Sequence, residues 1–333
     1  MSSKTENIMK KKEIIYLVLF LLILAFGYYR NKQKIYTFKK GKIIFNTYVE
    51  IEVESQKKGF NIVLDSIFDQ MSSFDSIFSY HNQKSVLSSL NKSSQFVLPK
   101  DMLTLLEYSQ ELYYISDSLF DVTIGALTDL WDIHKAKIPK IKQIKNAKKN
   151  VGFFKLKLFK DTLKKPKDLK INLGAISKGF IVDKIIRILK EKNAISGYIN
   201  AGGDIKSFGG KTYKIGIRNP RDGSKIVKKI NVKNKAVVTS GDYERFFDIG
   251  DIRYHHIINP KSGYPDSDII ATTVIGDEAF KVDGISTMLF LMGKKRAITY
   301  LDSLTDYAAI IFYLDNKKVK YKRSPKFIEY EVK

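Results

Sequence analysis

From Ile171 to Asp183 the chain reads Ile-Asn-Leu-Gly-Ala-Ile-Ser-Lys-Gly-Phe-Ile-Val-Asp, and this stretch restricts the fold more than any other. It starts as a short apolar strand end and passes a turn bracketed by Gly174 and Gly179. It then continues as a helix, with Ile181, Ile185 and Leu189 at helical spacing. Glycines at those places let backbone amides and carbonyls approach a ligand, and the start of a helix attracts phosphate. About a hundred residues later, Asp283-Gly-Ile-Ser-Thr287 sets a carboxylate and a hydroxyl four apart, hence on one helix face. Carbonyl, carboxylate and hydroxyl oxygens are the ligands that a hard cation such as Mg2+ prefers. A phosphate cradle together with such oxygens implies chemistry on a nucleotide or a pyrophosphate.

The 333 residues, 44% of them hydrophobic, can bury a large core, as one domain or as two fused halves. The formal charge of +23 is mostly lysine, and no helix-turn-helix, zinc or aromatic RNA-binding pattern accompanies it. The charge therefore reads as a solvated surface, and no nucleic-acid partner is expected. The absence of cysteine excludes disulfides, thiolate nucleophiles, Cys-ligated zinc and a lipid-modified N-terminal cysteine.

Residues 1–12 form a basic tail ending in Lys10-Lys11-Lys12, and Ile14 to Tyr29 then runs without a charge. The 13–29 segment is expected to be an uncleaved transmembrane anchor, a little short of about 20 residues, with Tyr28 and Tyr29 in the headgroup layer. A cleaved signal peptide and a buried core helix are the rival readings. The short tail favours a single-pass orientation in the cell inner membrane, with the body on the periplasmic, extracytoplasmic side. Residues 30–42 read as a lysine-rich linker and 43–333 as one large domain.

Within that domain, Phe45 to Val53 reads as a strand and Gly59 to Ile77 as a helix. Ser85 to Asn91 and Met102 to Ser116 read as further helices, and Leu119 to Gly125 as a loop. The stretch from Lys135 to Lys170 holds fourteen lysines, and Phe154 to Leu158 alternates within it like an exposed strand. Strands are expected over Gly197–Ile205, Tyr213–Ile217, Ser224–Val232, Ala236–Thr239, Ile269–Ile275 and Asp306–Tyr313. A helix from Ala279 to Met292 should end at Gly293. Runs of strands interrupted by long helices predict an α+β fold of mixed, mostly antiparallel sheets with flanking helices.

Gly202-Gly203-Asp204 and Thr239-Ser-Gly-Asp-Tyr-Glu-Arg245 each read first as turns. His255-His256-Ile-Ile-Asn-Pro260 offers a candidate acid/base imidazole beside a rigid turn. Neighbouring histidines on a strand point to opposite faces and make a poor zinc pair.

Taken together and in order, these stretches resemble the ApbE family, the Mg2+-dependent FAD:protein FMN transferases. The matching segments are Thr47-Tyr-Val-Glu-Ile, Phe78-Ser-Tyr80 with Ser85 and Leu90-Asn91, and Leu119-Phe-Asp-Val-Thr-Ile-Gly-Ala-Leu127 ending in Trp131. They continue with Leu173-Gly-Ala-Ile-Ser-Lys-Gly179 and Asp183, Asn200-Ala-Gly-Gly-Asp204, Thr239-Ser-Gly-Asp-Tyr243, His256-Ile-Ile-Asn-Pro260 and Asp283-Gly-Ile-Ser-Thr287.

The resemblance implies that the Ala175 carbonyl, Asp283 and Thr287 hold Mg2+, with Ser286 beside them. It implies that Tyr80, Leu119, Phe120, Asp121, Asn172, Lys178 and Ile258 line the FAD. Phe45 stands where the family usually has Met in Met-Gly-Thr; here the motif reads Phe45-Asn46-Thr47, a departure that would narrow the pocket there. Asn172 replaces a frequent Asp. The implied reaction moves FMN from FAD to a Ser or Thr hydroxyl of a target flavoprotein and releases AMP. His256 or a nearby carboxylate such as Asp283 would accept the hydroxyl proton. An FAD pyrophosphatase yielding FMN and AMP, and a non-catalytic flavin-binding protein, are the alternative readings.

Overall fold

The computed structural model describes residues 14–24, 26, 34–316 and 318–332. An eight-stranded sheet forms its centre, and every neighbouring pair in it is antiparallel. In spatial order it contains β1 (Tyr36–Ile44), β2 (Thr47–Ser55), β6 (Ser196–Ala201), β7 (Asp204–Phe208), β10 (Ala236–Gly241), β13 (Ile269–Gly276), β14 (Ala308–Asp315) and β15 (Lys318–Arg323). A small sheet joins β3 (Gln95–Val97), β4 (Lys157–Phe159) and β5 (Thr162–Lys164). Two separate ribbons pair β8 (Thr212–Asn219) with β9 (Asp222–Lys233) and β11 (Phe246–Ile249) with β12 (Ile252–His255). The helices are α1 (Asn61–Phe78), α2 (Val86–Lys92), α3 (Lys100–Ile115), α4 (Gly125–Thr128), α5 (Ile141–Lys148), α6 (Ser177–Glu191) and α7 (Ala279–Asp302). The expected α+β architecture with mostly antiparallel sheets is what the chain adopts.

The period-2 pattern of β2 explains its place. Val49, Ile51 and Val53 are fully buried on one face. Glu50 on the other face accepts from the Tyr198 hydroxyl at 2.6 Å and pairs with Lys39. β13 is buried along its whole length and reads as a continuous apolar and threonine run, as a strand covered on both faces must. One cover is the main core, to which α1, α3, α6 and α7 contribute. The other is built from Ile217, Ile230 and Val232 of the β8–β9 hairpin and from Phe327 in a 3-10 turn at Pro325–Tyr330.

Several boundaries differ from the sequence reading, each for a local reason. Residues 36–42, read as linker, belong to β1, whose lysines pair with acids on β2 and α1. Phe45 and Asn46 are not strand residues; both take left-handed φ, 55° and 56°, in the tight β1–β2 turn. Asn tolerates that conformation, which is how Asn46 replaces a glycine. Gly197–Ile205 is not one strand but the hairpin β6–β7, folded back at Gly202 and Gly203, both with positive φ. Phe154 lies in a 3-10 turn, and only Lys157–Phe159 is extended. At Gly293 (φ 72°, ψ 164°) the helical geometry does break, but α7 resumes beyond it, because the Asp268 carboxylate accepts from Lys294 N at 2.6 Å.

Residues 14–24 are helical, with exposed side chains. Among the described residues no helix is long and apolar enough to cross a membrane. Positions 1–13, 25 and 27–29 of the expected tail and anchor lie outside the described residues.

Candidate active site

The first turns of α6 and α7 cross at close range, and the crossing assembles the site. A Cβ placed on Gly179 would stand 2.4 Å from the Ala279 carbonyl oxygen, so glycine is what lets the two backbones touch. The helices then cap each other. Asp283 of α7 accepts at Oδ2 from Gly179 N at 3.2 Å, and Asp183 of α6 accepts at Oδ2 from Phe280 N at 3.1 Å. Neither helix has a side-chain N-cap of its own, so each carboxylate serves the orphan amides of its partner. The α6 terminus is therefore less open to phosphate than its sequence implies: Gly179 N goes to Asp283 and Ser177 N to the Leu173 carbonyl.

Three strand ends converge on this crossing. Asp204, at the start of β7, is buried and pairs with Lys178 Nζ at 2.7 Å. Gly202 in the preceding turn donates to the Tyr48 carbonyl and packs on Thr47, which brings the start of β2 alongside. Ser240, near the end of β10, lies with its Oγ 2.7 Å from Ser286 Oγ and 3.1 Å from Thr287 Oγ1. Ser286 is fully buried, while Thr287 keeps part of its surface open.

The electrostatics follow from burial. Burial raises the Asp283 carboxyl well above its ordinary range, and the neighbouring Asp204 charge adds to that; Lys178 opposes both. Asp204 is raised for the same first reason. Burial works against the Lys178 ammonium, but Asp204, Asp283 and Glu244 outweigh it and hold its pKa above the usual lysine value. Two buried carboxylates share one ammonium, so each resists ionisation while the other is charged. Asp283 Oδ1 has no protein donor among the described residues. The Asp283 carboxylate, the Thr287 hydroxyl and the Ala175 carbonyl on the turn into α6 are oxygens of the kind a hard cation takes. Among the described residues no three His, Asp or Glu side chains gather in metal-binding geometry.

The residues expected to line the dinucleotide form a second group. Tyr80 donates to Asp129 Oδ1 at 2.7 Å and to the Gly125 carbonyl, and Lys170 Nζ reaches Asp129 Oδ2 at 2.6 Å. Asn172 N bonds the Val122 carbonyl, and its side-chain oxygen accepts from Gly174 N at 3.0 Å. Asp121 orders the 119–125 loop, accepting from Thr123 N, the Thr123 hydroxyl and Phe153 N. Leu119 and Phe120 are buried in the main core, which leaves chiefly their backbone for a ligand. Phe45 is partly buried against the same core. The segment from Lys170 to Lys178 joins this group to the helix crossing.

The third group is the 255–263 turn. Ile258 packs with Leu127 and Trp131, whose Nε1 donates to the Gly263 carbonyl at 3.0 Å. His256 is partly buried, with Nδ1 enclosed and without a hydrogen-bond partner among the described residues, and its backbone N donates to the Arg245 carbonyl. Burial, and then Arg245, push its pKa down to about 3, and Lys178 is close enough to contribute. The imidazole is therefore neutral at ordinary pH. The sequence reading assigned no role to Asp204, Ser240 or Glu244. All three sit in its two turn motifs, and only the folded chain shows that these motifs meet.

His255, edge-on to Phe290 with Nδ1 buried and without a hydrogen-bond partner among the described residues, is pushed to about 4 by burial, against the pull of Asp242. Its folded pKa lies below the unfolded value near 6.5, so the unfolded chain binds the extra proton. Its share of stability is complete above pH 6.5 and is lost as pH falls toward 4, by roughly 3 kcal/mol. Urea unfolding at pH 7 and pH 4.5 should show this loss, and His255→Leu should shrink it. An identical pH dependence in that variant would rule the assignment out.

The model of the ApbE family matches residues 45–311. A protein named FAD:protein FMN transferase from Treponema pallidum (strain Nichols) is 25% identical, over 90% of this chain and 91% of that protein. One of the same name from Haemophilus influenzae is 30% identical, over 72% of this chain and 75% of its own length. Among solved structures, an ApbE protein from Thermotoga maritima superposes with a TM-score of 0.81 at 27% identity, covering 90% of this chain and all of that one. A flavin transferase ApbE from Vibrio cholerae has a TM-score of 0.80 at 24% identity, over 89% of this chain and 100% of its own, which is a likeness of fold.

Proposed function

The chain belongs to the ApbE family, and from that premise we propose that it transfers FMN from FAD to a Ser or Thr hydroxyl of a target flavoprotein, releasing AMP. The observation that carries the reading is the α6–α7 crossing, where Lys178–Asp204, Asp283–Gly179 and the Ser240–Thr287 hydroxyls meet within hydrogen-bond distance. In the reaction, the acceptor oxygen forms a bond to the FMN phosphorus. The P–O bond of the pyrophosphate bridge breaks, and AMP takes the leaving electron pair. Lys178 would meet phosphate charge. Ala175, Asp283 and Thr287 would hold Mg2+, with Ser286 fixing Thr287 through Ser240, and that ion supplies charge neutralisation as the bridge breaks. Neutral His256 is able to take the hydroxyl proton at its ring, and a carboxylate of the cluster is the other candidate. Tyr80, Asn172 and the 119–125 backbone orient the dinucleotide.

Hydrolysis by the same site would give FMN and AMP, and differs only in which hydroxyl reaches phosphorus. The test is to incubate the protein with FAD, Mg2+ and a candidate acceptor, and to read intact masses and nucleotides. One FMN mass on the acceptor for each AMP released is expected. Equal free FMN and AMP, with no mass added, would replace the transferase by a pyrophosphatase. His256→Ala should slow transfer at least about a hundredfold while FAD affinity changes little; unchanged turnover would move the base to a carboxylate. We also propose that the 13–29 segment anchors the chain in the membrane with its body outside the cytoplasm. Carbonate extraction and protease accessibility of spheroplasts test this, and a carbonate-soluble, protease-protected protein would overturn it.

A further inference from the structure

The small sheet turns one face outward, and its register sorts that face into two rows. β5 lies between β3 and β4. Gln95, Lys164 and Lys157 stand opposite one another in one row, and Val97, Thr162 and Phe159 in the next. Side chains two apart along a strand share a face, so both rows point the same way. The opposite face carries Leu163, which is buried, and Phe96, which packs against the main core. The outward face has no such cover. Val97 is 63% exposed and Phe159 75%, and a hollow of about 350 Å3 is lined by both lysines and by Phe159.

Charge on this face is unbalanced. Lys157, Lys160 and Lys164 are exposed, and none of them pairs with a carboxylate among the described residues. Asp161 and Asp168 are the only acids from Lys135 to Lys170. Asp161, in the β4–β5 turn, accepts from the Thr162 hydroxyl at 3.3 Å. Lys160 holds φ 54° in that turn, where glycine or asparagine costs less, and its ammonium lies 5.8 Å from the centre of the Phe159 ring.

A free anion would meet the lysines and leave Val97 and Phe159 in water. A nucleic acid offers a stacking plane to Phe159 but nothing to Val97. An anionic bilayer surface uses both rows: its phosphates meet the ammoniums, and the valine and phenyl side chains enter the boundary between headgroups and acyl chains. The helix at residues 14–24 exposes isoleucine, leucine, valine and phenylalanine side chains, so lipid suits a second part of the same chain.

We propose that the outward face of the small sheet docks on an anionic phospholipid bilayer, with Lys157, Lys160 and Lys164 at the headgroups and Val97 and Phe159 dipping below them. The proposal rests on neither the transferase reading nor the 13–29 anchor, because the folded body itself makes the contact.

The chain has no cysteine, so Asp161→Cys carries a single solvent-sensitive fluorophore at this face. The full-length labelled protein is reconstituted into vesicles of phosphatidylcholine, alone or with added phosphatidylglycerol. On the mixed vesicles the emission should move to the blue and be quenched by brominated acyl chains. On phosphatidylcholine alone it should stay as in water. High salt should reverse the shift, because it screens exposed charges; this arm needs no further substitution and stands even where a variant fails to fold. Lys157→Gln, Lys160→Gln and Lys164→Gln together, and Phe159→Ser separately, should lose the shift. Attachment by residues 14–24 alone would hold the chain on both kinds of vesicle with the fluorophore still in water, and would overturn the proposal. So would an equal shift on both vesicles, or one that survives the triple substitution or high salt. The same shift produced without vesicles, by inorganic phosphate or by RNA, would give the face to a free anion or to a nucleic acid instead of a bilayer.

Discussion

Asp283→Asn should leave the protein at least as stable as the unaltered chain while FMN transfer falls by a hundredfold or more, about the cost of losing one electrostatic element of an active site. The two effects separate because the buried carboxylate does opposite things for fold and function. Burial and the Asp204 charge both disfavour an ionised Asp283 in the folded state. The amide keeps an oxygen for Gly179 N, at 3.2 Å in the native pair, and so retains the cap on α6. It also removes the repulsion with Asp204, so the thermal midpoint should stay level or rise. What it removes is the charged oxygen that a hard cation needs. Mg2+ with FAD should therefore raise the midpoint of the unaltered protein and not that of the variant, a readout independent of turnover. Transfer that survives Asp283→Asn, or the same Mg2+-dependent shift in both proteins, would remove Asp283 from the cation site.

How far the sequence discloses this arrangement depends on how local each signal is. The helix from Ser177 and the strands β2, β10 and β13 carry their periodicity within a few residues, and those were legible. β1 was not, because its lysines disguise an edge strand as a linker; its pairing with the acids of β2 and α1 exists only across the fold. The 283–287 motif disclosed a carboxylate and a hydroxyl on one helix face. It did not disclose Ser240, which joins Ser286 and Thr287 from a strand more than forty residues away in sequence. Asp204 and Glu244 stood in turns whose bland reading was locally sound. Their chemistry comes from Lys178, and only the antiparallel pairing of β7 with β10 brings the two turns to it.

Gly179 was read from the sequence as room for a ligand, and the fold gives it a different and more costly task. Gly179→Ala should destabilise the protein by about 3 kcal/mol and impair transfer together, where Asp283→Asn impairs transfer alone. A Cβ at this position lies 2.4 and 2.6 Å from the Ala279 carbonyl oxygen and carbon and 2.7 Å from Phe280 Cα. These are backbone atoms, so no rotamer change relieves the clash, and α6 and α7 must move apart. Alanine's better helix propensity returns at most about 1 kcal/mol. Separating the helices lengthens the Gly179–Asp283 and Phe280–Asp183 caps at once and carries Lys178 away from Asp283. Gly174, given the same role by the sequence, meets only the Asn172 side-chain oxygen, at 3.1 Å, and that amide has room to give. Gly174→Ala should thus cost little stability, and thermal unfolding of the two variants side by side separates the readings. A Gly179→Ala protein as stable as Gly174→Ala would mean that the crossing tolerates a methyl group and that the close helix approach is not what holds Asp283 in place.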